Sequence, residues 1–208
     1  MSDADDILNL AELLCARLCH DLSGPLGAVS AGAELLGEGG EGDAESLELL
    51  AASARSAALR LKYLRDAFGP GTQPAGCGTL AGKLRGWLGD GSGAGGIVLD
   101  WPDLRPDQEV PADLGRLILN LGVLARDCLP RGGRVSLSGD VSGDFEMLVE
   151  GPNLRVGEAI AAAGEAKVES ARAAQGRLTA LLAARLGRKL AAVSEPDRLT
   201  LTIRTKDL

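Results

Sequence analysis

The residue best suited to chemistry is His20, the one histidine in this 208-residue chain, and Asp21 follows it directly in the segment LCHDLSGPLGA. A neighbouring carboxylate orients an imidazole ring and fixes its tautomer, which leaves the other ring nitrogen as a nucleophile. Ser23, Gly24 and Gly27 are small, so a second protein could bring its backbone close to this nucleophile. The segment therefore predicts His20 and Asp21 as catalytic residues, although a lone histidine on a helix is about as often purely structural.

Two helices are predicted around this segment. Apolar residues recur at the helical period over residues 5–36, with Pro25 expected to kink the helix, and again over residues 44–68. The short Gly-rich loop 37–43 makes the two helices antiparallel neighbours. Such a hairpin has more apolar surface than it can bury alone, so the sequence predicts a homodimer in which two hairpins form a four-helix bundle.

The Pro- and Gly-rich stretch 69–78 predicts a linker between a hairpin domain, 1–68, and a mixed domain, 79–208. Within the second domain the pattern predicts helices at 80–88, 113–129 and 170–187, and strands at 97–101, 134–138, 145–150, 190–194 and 199–204. The predicted fold class is α+β, with the helical hairpin followed by an α/β sandwich whose helices cover one face of a sheet.

Composition excludes several classes of partner. The net charge is −7 and no basic stripe is present, which argues against nucleic acids and anionic membranes. No apolar run reaches the length of a membrane-spanning helix, and the acidic start MSDADD does not resemble a signal peptide. The cytoplasm is therefore the expected compartment, and the cysteines are expected to be reduced.

The run His20, Asp21, Leu22, Pro25 and Leu26 resembles the H-box of two-component histidine kinases. The wider stretch LLCARLCHDLSGPLGAVSAGAELL resembles the ChpT-type histidine phosphotransferases, in which such a hairpin precedes a domain like a kinase ATPase domain. The resemblance implies that His20 is a phosphoacceptor. It also implies that the partners are the receiver domain of a hybrid histidine kinase and response regulators, which would meet the chain near Arg17, Ser23, Gly24 and Gly27.

The positions that align with kinase nucleotide boxes lack the residues that bind nucleotide. Leu124 stands where a kinase has the asparagine that holds magnesium, and Val149 and Asn153 stand in place of the aspartate and second glycine of a later box. Of the Gly-rich lid before the last helix, only Gly176 remains. Leucine and valine offer magnesium no ligand, so no ATP binding and no cofactor are expected in this chain, and the receiver would bring the magnesium.

Several alternatives stay open. Cys15 and Cys19 are one helical turn apart, but structural zinc usually needs four ligands, so no metal site is predicted here. Arg17 could stabilise phosphate or be a simple surface cation. As a whole, the chain could instead be an active kinase fragment, which predicts nucleotide binding, or a dimeric adaptor that binds receivers without being phosphorylated.

Overall fold

The computed structural model describes residues 3–37, 44–71, 73–89, 96–161, 163 and 167–205. Helices α1 (Asp3–Gly37) and α2 (Ala44–Phe68) form the predicted hairpin, and α1 continues through Pro25. Most of the predicted loop, 38–43, lies outside the described residues. None of the helices in the described ranges is long and apolar enough to cross a membrane.

The remaining elements alternate between helix and strand. In chain order they are β1 (Ala75–Gly76), α3 (Cys77–Leu88), β2 (Ile97–Asp100), β3 (Glu109–Val110), α4 (Ala112–Cys128), β4 (Gly133–Gly139), β5 (Phe145–Glu150), α5 (Glu158–Ala161), α6 (Ala171–Arg185), β6 (Arg188–Glu195) and β7 (Arg198–Thr205). The predicted linker, 69–78, contains β1 and the first residues of α3.

Five strands form one mixed sheet in the order β2-β4-β5-β7-β6. β2 and β4 are parallel, and the other neighbours are antiparallel. Alternate residues of the central strands are buried on a single face, as expected where helices cover one side of a sheet. β1 and β3 form a separate two-stranded ladder.

The hairpin shares its core with the second domain. Tyr63, Leu64 and Ala67, near the end of α2, belong to the same buried cluster as the sheet and α4. A smaller cluster joins the start of α1 to the start of α6, where Asn9 Nδ2 donates to the Val168 carbonyl at 2.8 Å. The end of the hairpin near its loop carries exposed leucines instead, including Leu35 and Leu49.

Candidate functional site

His20 projects from the middle of α1 into solvent, with 82% of its side chain exposed. Its Nδ1 lies 3.2 Å from Oδ1 of Asp21. An ionised carboxylate only accepts hydrogen bonds, so this contact favours the tautomer in which Nδ1 carries the proton. The lone pair is then on Nε2, and the ring can act as an exposed nucleophile.

Asp21 is held by a second contact on its other oxygen. Arg17, one turn earlier in α1, donates from Nε to Oδ2 of Asp21 at 2.7 Å. The side chain of Asp21 is only 12% exposed, because it lies between the imidazole and the guanidinium. One oxygen of the carboxylate therefore serves His20 and the other serves Arg17.

Arg17 also joins the hairpin to the second domain. Its two terminal nitrogens donate to the two carboxylate oxygens of Asp127 in α4, both at 2.8 Å. Burial would by itself lower the pKa of the Arg17 guanidinium, but the hydrogen bonds and charges of Asp127 and Asp21 together outweigh it and raise that pKa. The guanidinium is thus a permanent buried cation with all of its nitrogens bonded to carboxylates.

The structure excludes one of the two interpretations left open for Arg17, leaves none of its nitrogens free for the expected contact with a partner, and adds a residue. Arg17 is not a surface cation, because it is 5% exposed and bonded on both sides. Asp127 was not singled out from the sequence. It lies 110 positions from Arg17, and only the tertiary fold, in which α1 packs on α2 and α6 and both of these pack on α4, brings the two together.

Ser23, Gly24 and Gly27 are exposed beside the histidine. Ser23 donates from Oγ to the Cys19 carbonyl at 2.6 Å, which keeps the hydroxyl close to the helix. A Cβ added at Gly24 or Gly27 would meet nothing within 4 Å. Since residues four and seven positions after His20 share its side of the helix, this surface is open, and its role in partner binding stays a prediction.

Cys15 and Cys19 are exposed free thiols. Within the described ranges, no group of three or more His, Cys, Asp or Glu side chains is arranged to hold a metal ion.

Two of the positions aligned with nucleotide boxes, Leu124 and Val149, lie in the core of the second domain, whereas Asn153 is exposed in a turn. Leu124 is 1% exposed within α4, and Val149 is fully buried in β5 between Val135 of β4 and Leu199 of β7. Asn120 is also fully buried. It donates to the Ala67 carbonyl at 2.8 Å, and its Oδ1 accepts from Gln175 Nε2 at 2.8 Å. The side chains of Asn120 and Gln175 therefore hold α2, α4 and α6 together.

Comparison with known proteins agrees with this architecture. Residues 82–198, more than half of the chain, match the family described as histidine phosphotransferase C-terminal domain. The protein phosphotransferase ChpT of Brucella abortus (strain 2308) is 32% identical over 159 residues, which cover 72% of this chain and 71% of that protein.

One solved structure shows the same relationship over nearly the whole chain. A structure described as a bacterial phosphotransferase is 28% identical, with a TM-score of 0.77 and 98% coverage of both chains. The Acinetobacter baumannii histidine kinase AdeS is more distant, at 12% identity and a TM-score of 0.46 over 88% of this chain and 95% of that chain. On the family match and the relatives that span most of its length, this chain belongs to the histidine phosphotransferase family.

Proposed function

We propose that His20 accepts a phosphoryl group from the aspartyl phosphate of one receiver domain and passes it to the aspartate of another, without the use of ATP. The observation that carries this proposal is the exposed imidazole whose Nδ1 faces Asp21, because it leaves Nε2 free to attack an incoming phosphorus atom. Histidine phosphotransferase activity in a phosphorelay is the property of the family to which the chain belongs.

The transfer step balances in bonds and charge between His20 and the aspartyl phosphate of the donor. The Nε2 lone pair forms the bond to phosphorus, the bond between phosphorus and the donor carboxylate oxygen breaks, and that carboxylate leaves with the electron pair. The ring becomes cationic, and Asp21 stabilises it across the Nδ1 hydrogen bond. Transfer to the second receiver is the same step in reverse.

The partner would supply the magnesium. No cluster of metal-ligating side chains is present in the part of the chain that the structure describes, whereas phosphoryl transfer needs a cation beside the developing charge. Open space at Gly24 and Gly27 would let a receiver reach His20 along the helix.

The absence of ATP use is proposed from the core of the second domain. Leu124 and Val149 give magnesium no oxygen ligand, and both are packed among apolar side chains. An active kinase fragment would need ligands at these positions. An adaptor that is never phosphorylated would not need the contact between His20 and Asp21.

A homodimer is proposed from the exposed apolar side chains of the hairpin. Those on α1 and α2 that are at least half exposed are Ile7, Leu8, Leu26, Leu35, Leu47, Leu49, Leu59 and Leu61. So many exposed apolar side chains on two helices are typical of a surface that packs against another helical pair.

One assay separates the three functions. The chain is mixed with labelled ATP alone, and separately with a panel of labelled, phosphorylated receiver domains, and His20→Gln is the control. The proposal expects label from a receiver and none from ATP. Label from ATP alone would identify a kinase, and failure of every receiver in the panel to transfer label would favour the adaptor.

A further inference from the structure

We propose that Asp127, in the second domain, is a positioning residue for phosphoryl transfer at His20, and that it acts through Arg17 and Asp21. This inference rests on the proposed role of His20 as phosphoacceptor. It assigns the second domain a part in orienting the nucleophile, although Leu124 and Val149, at positions aligned with its nucleotide boxes, are core side chains.

The contacts form a continuous chain from the second domain to the nucleophile. Both oxygens of Asp127 accept from the terminal nitrogens of Arg17, and the remaining nitrogen, Nε, donates to Oδ2 of Asp21. The free oxygen of Asp21, Oδ1, then faces Nδ1 of His20 at 3.2 Å. A rigid, planar guanidinium with bonds along both of its edges fixes the plane of the carboxylate that orients the imidazole.

The pair within α1 would hold this geometry poorly by itself. A pair of opposite charges one turn apart on an exposed helix stabilises the helix only weakly. The order here, with the basic residue before the acidic one, is also the less favourable of the two. Arg17 is buried, and its two hydrogen bonds to Asp127 hold the guanidinium in one orientation.

Arg126 is another cation near Asp21 and Asp127 and interacts electrostatically with both, but within the described ranges it forms an ion pair with neither carboxylate. Arg126, the neighbour of Asp127 in α4, has its guanidinium 4.8 Å from the centre of the Trp87 ring and also donates to the Trp87 carbonyl. Loss of Asp127 would therefore leave Arg17 with Asp21 as the one carboxylate bonded to it. Arg17 would be free to turn toward solvent, and the Asp21 carboxylate would then lose the hydrogen bond that fixes its orientation.

The rival explanation is that Arg17 and Asp127 only hold the domains together. The tautomer of His20 separates the two explanations, because it reports on Asp21 and not on stability. Since the chain has one histidine, uniform ¹⁵N-histidine labelling reports on His20 alone. The measured quantities are the fraction of the Nδ1–H tautomer and the initial rate of transfer from a phosphorylated receiver.

The principal variant is Asp127→Asn, which keeps the shape but removes the charge and one acceptor. We expect a lower fraction of the Nδ1–H tautomer and a transfer rate reduced by about tenfold or more, as when the outer partner of a metal-bound histidine is removed. Asp127→Glu restores the charge and is expected to recover part of both quantities. Tyr63→Phe is the matched control, because it removes another buried bond to α4, from Tyr63 Oη to the Leu119 carbonyl at 2.7 Å, and it should change neither.

A double-mutant cycle completes the test. If Asp127 acts through Asp21, then Asp127→Asn added to Asp21→Asn will not slow transfer further, although it will still lower the free energy of unfolding. If Asp127→Asn does not fold, the Arg17→Lys variant tests the proposal instead. A lysine cannot bond both carboxylates at once in the planar geometry of a guanidinium, so this variant must show the same decrease in the fraction of the Nδ1–H tautomer and in the transfer rate.

An unchanged tautomer and transfer rate in folded Asp127→Asn would overturn the inference, as would equal losses in Tyr63→Phe or additive losses in the cycle. Failure of the wild-type chain to accept label would instead refute the proposed function. The tautomer measurement distinguishes these cases, because it needs no receiver.

Discussion

Gly176 of α6 lies directly against the main-chain carbonyl of Ala159 in α5, and a Cβ added at Gly176 would overlap that oxygen. This contact is the point at which α5 packs on α6. Ser170, at the start of α6, tightens the same region, because its Oγ donates to Glu158 at 2.6 Å and accepts from the Ala173 N–H at 3.1 Å. The glycine that resembles a remnant of a nucleotide lid therefore has a packing role.

Gly176→Ala should destabilise the chain by about 1–3 kcal/mol, because α5 must move away to admit the methyl group. Gly82→Ala is the matched control. A Cβ at that helical position in α3 meets nothing within 4 Å, so we expect a gain of about 0.5–1 kcal/mol from the better helix former. Urea unfolding measures both changes, and equal stability of the two variants would show that the contact with Ala159 has no structural importance.

Because the thiol of Cys128 is buried, we expect the chain to lose stability at alkaline pH. Burial, with a smaller contribution from the charge of Asp127, raises the pKa of its thiol from 9.0 to about 12. Between these values the unfolded chain loses the thiol proton and the folded chain keeps it, so the free energy of unfolding falls as pH rises from about 9 to about 12. Cys128→Ala should show a smaller fall over this range.

Thiol modification gives a second readout. At pH 8 a thiol reagent should react rapidly with exposed Cys15 and Cys19, and slowly with Cys128 until the chain unfolds. Modification of Cys128 in the native chain as fast as of Cys15 would contradict this account of its environment.

The exposed leucines of the hairpin indicate a dimer. We expect that replacing one of them by a charged residue weakens this dimer. Leu49 in α2 is 69% exposed, so Leu49→Glu would bury a carboxylate in the proposed four-helix bundle. We expect the dissociation constant of the dimer, measured by analytical ultracentrifugation, to rise by at least about tenfold, or 1.4 kcal/mol. Val193→Glu, at a 61% exposed apolar position in β6, should leave the dimer unchanged. A monomeric wild-type chain, or an equal effect of both variants, would refute association through the hairpin.

The elements that could be predicted from the sequence are those long enough to show a hydrophobic pattern. All of the predicted helices and strands, including α3, α6, β2 and β6, are within a few residues of their predicted bounds. Three short elements, β1, β3 and α5, were missed, because a segment of two to four residues is too short to show a period.

The candidate site was predictable only in its local part. His20 and Asp21 are adjacent in sequence, so their contact follows from one helix. The bond between Arg17 and Asp127 depends on how α1 and α4 are placed by their packing on α2 and α6, and no local pattern in either helix indicates it. For the same reason, the sequence did not distinguish a surface Arg17 from the buried cation that the structure contains.

The most direct test of the central claim is to locate the phosphoryl group on the chain. The ¹⁵N-histidine-labelled protein is phosphorylated by a receiver domain and observed by ³¹P and ¹⁵N NMR, with His20→Gln in parallel. We predict one phosphohistidine, with phosphorus bonded to Nε2 of His20, and no phosphorylation of the variant. Phosphorus on Nδ1 or on another residue, or a His20→Gln chain phosphorylated at the wild-type rate, would contradict the account.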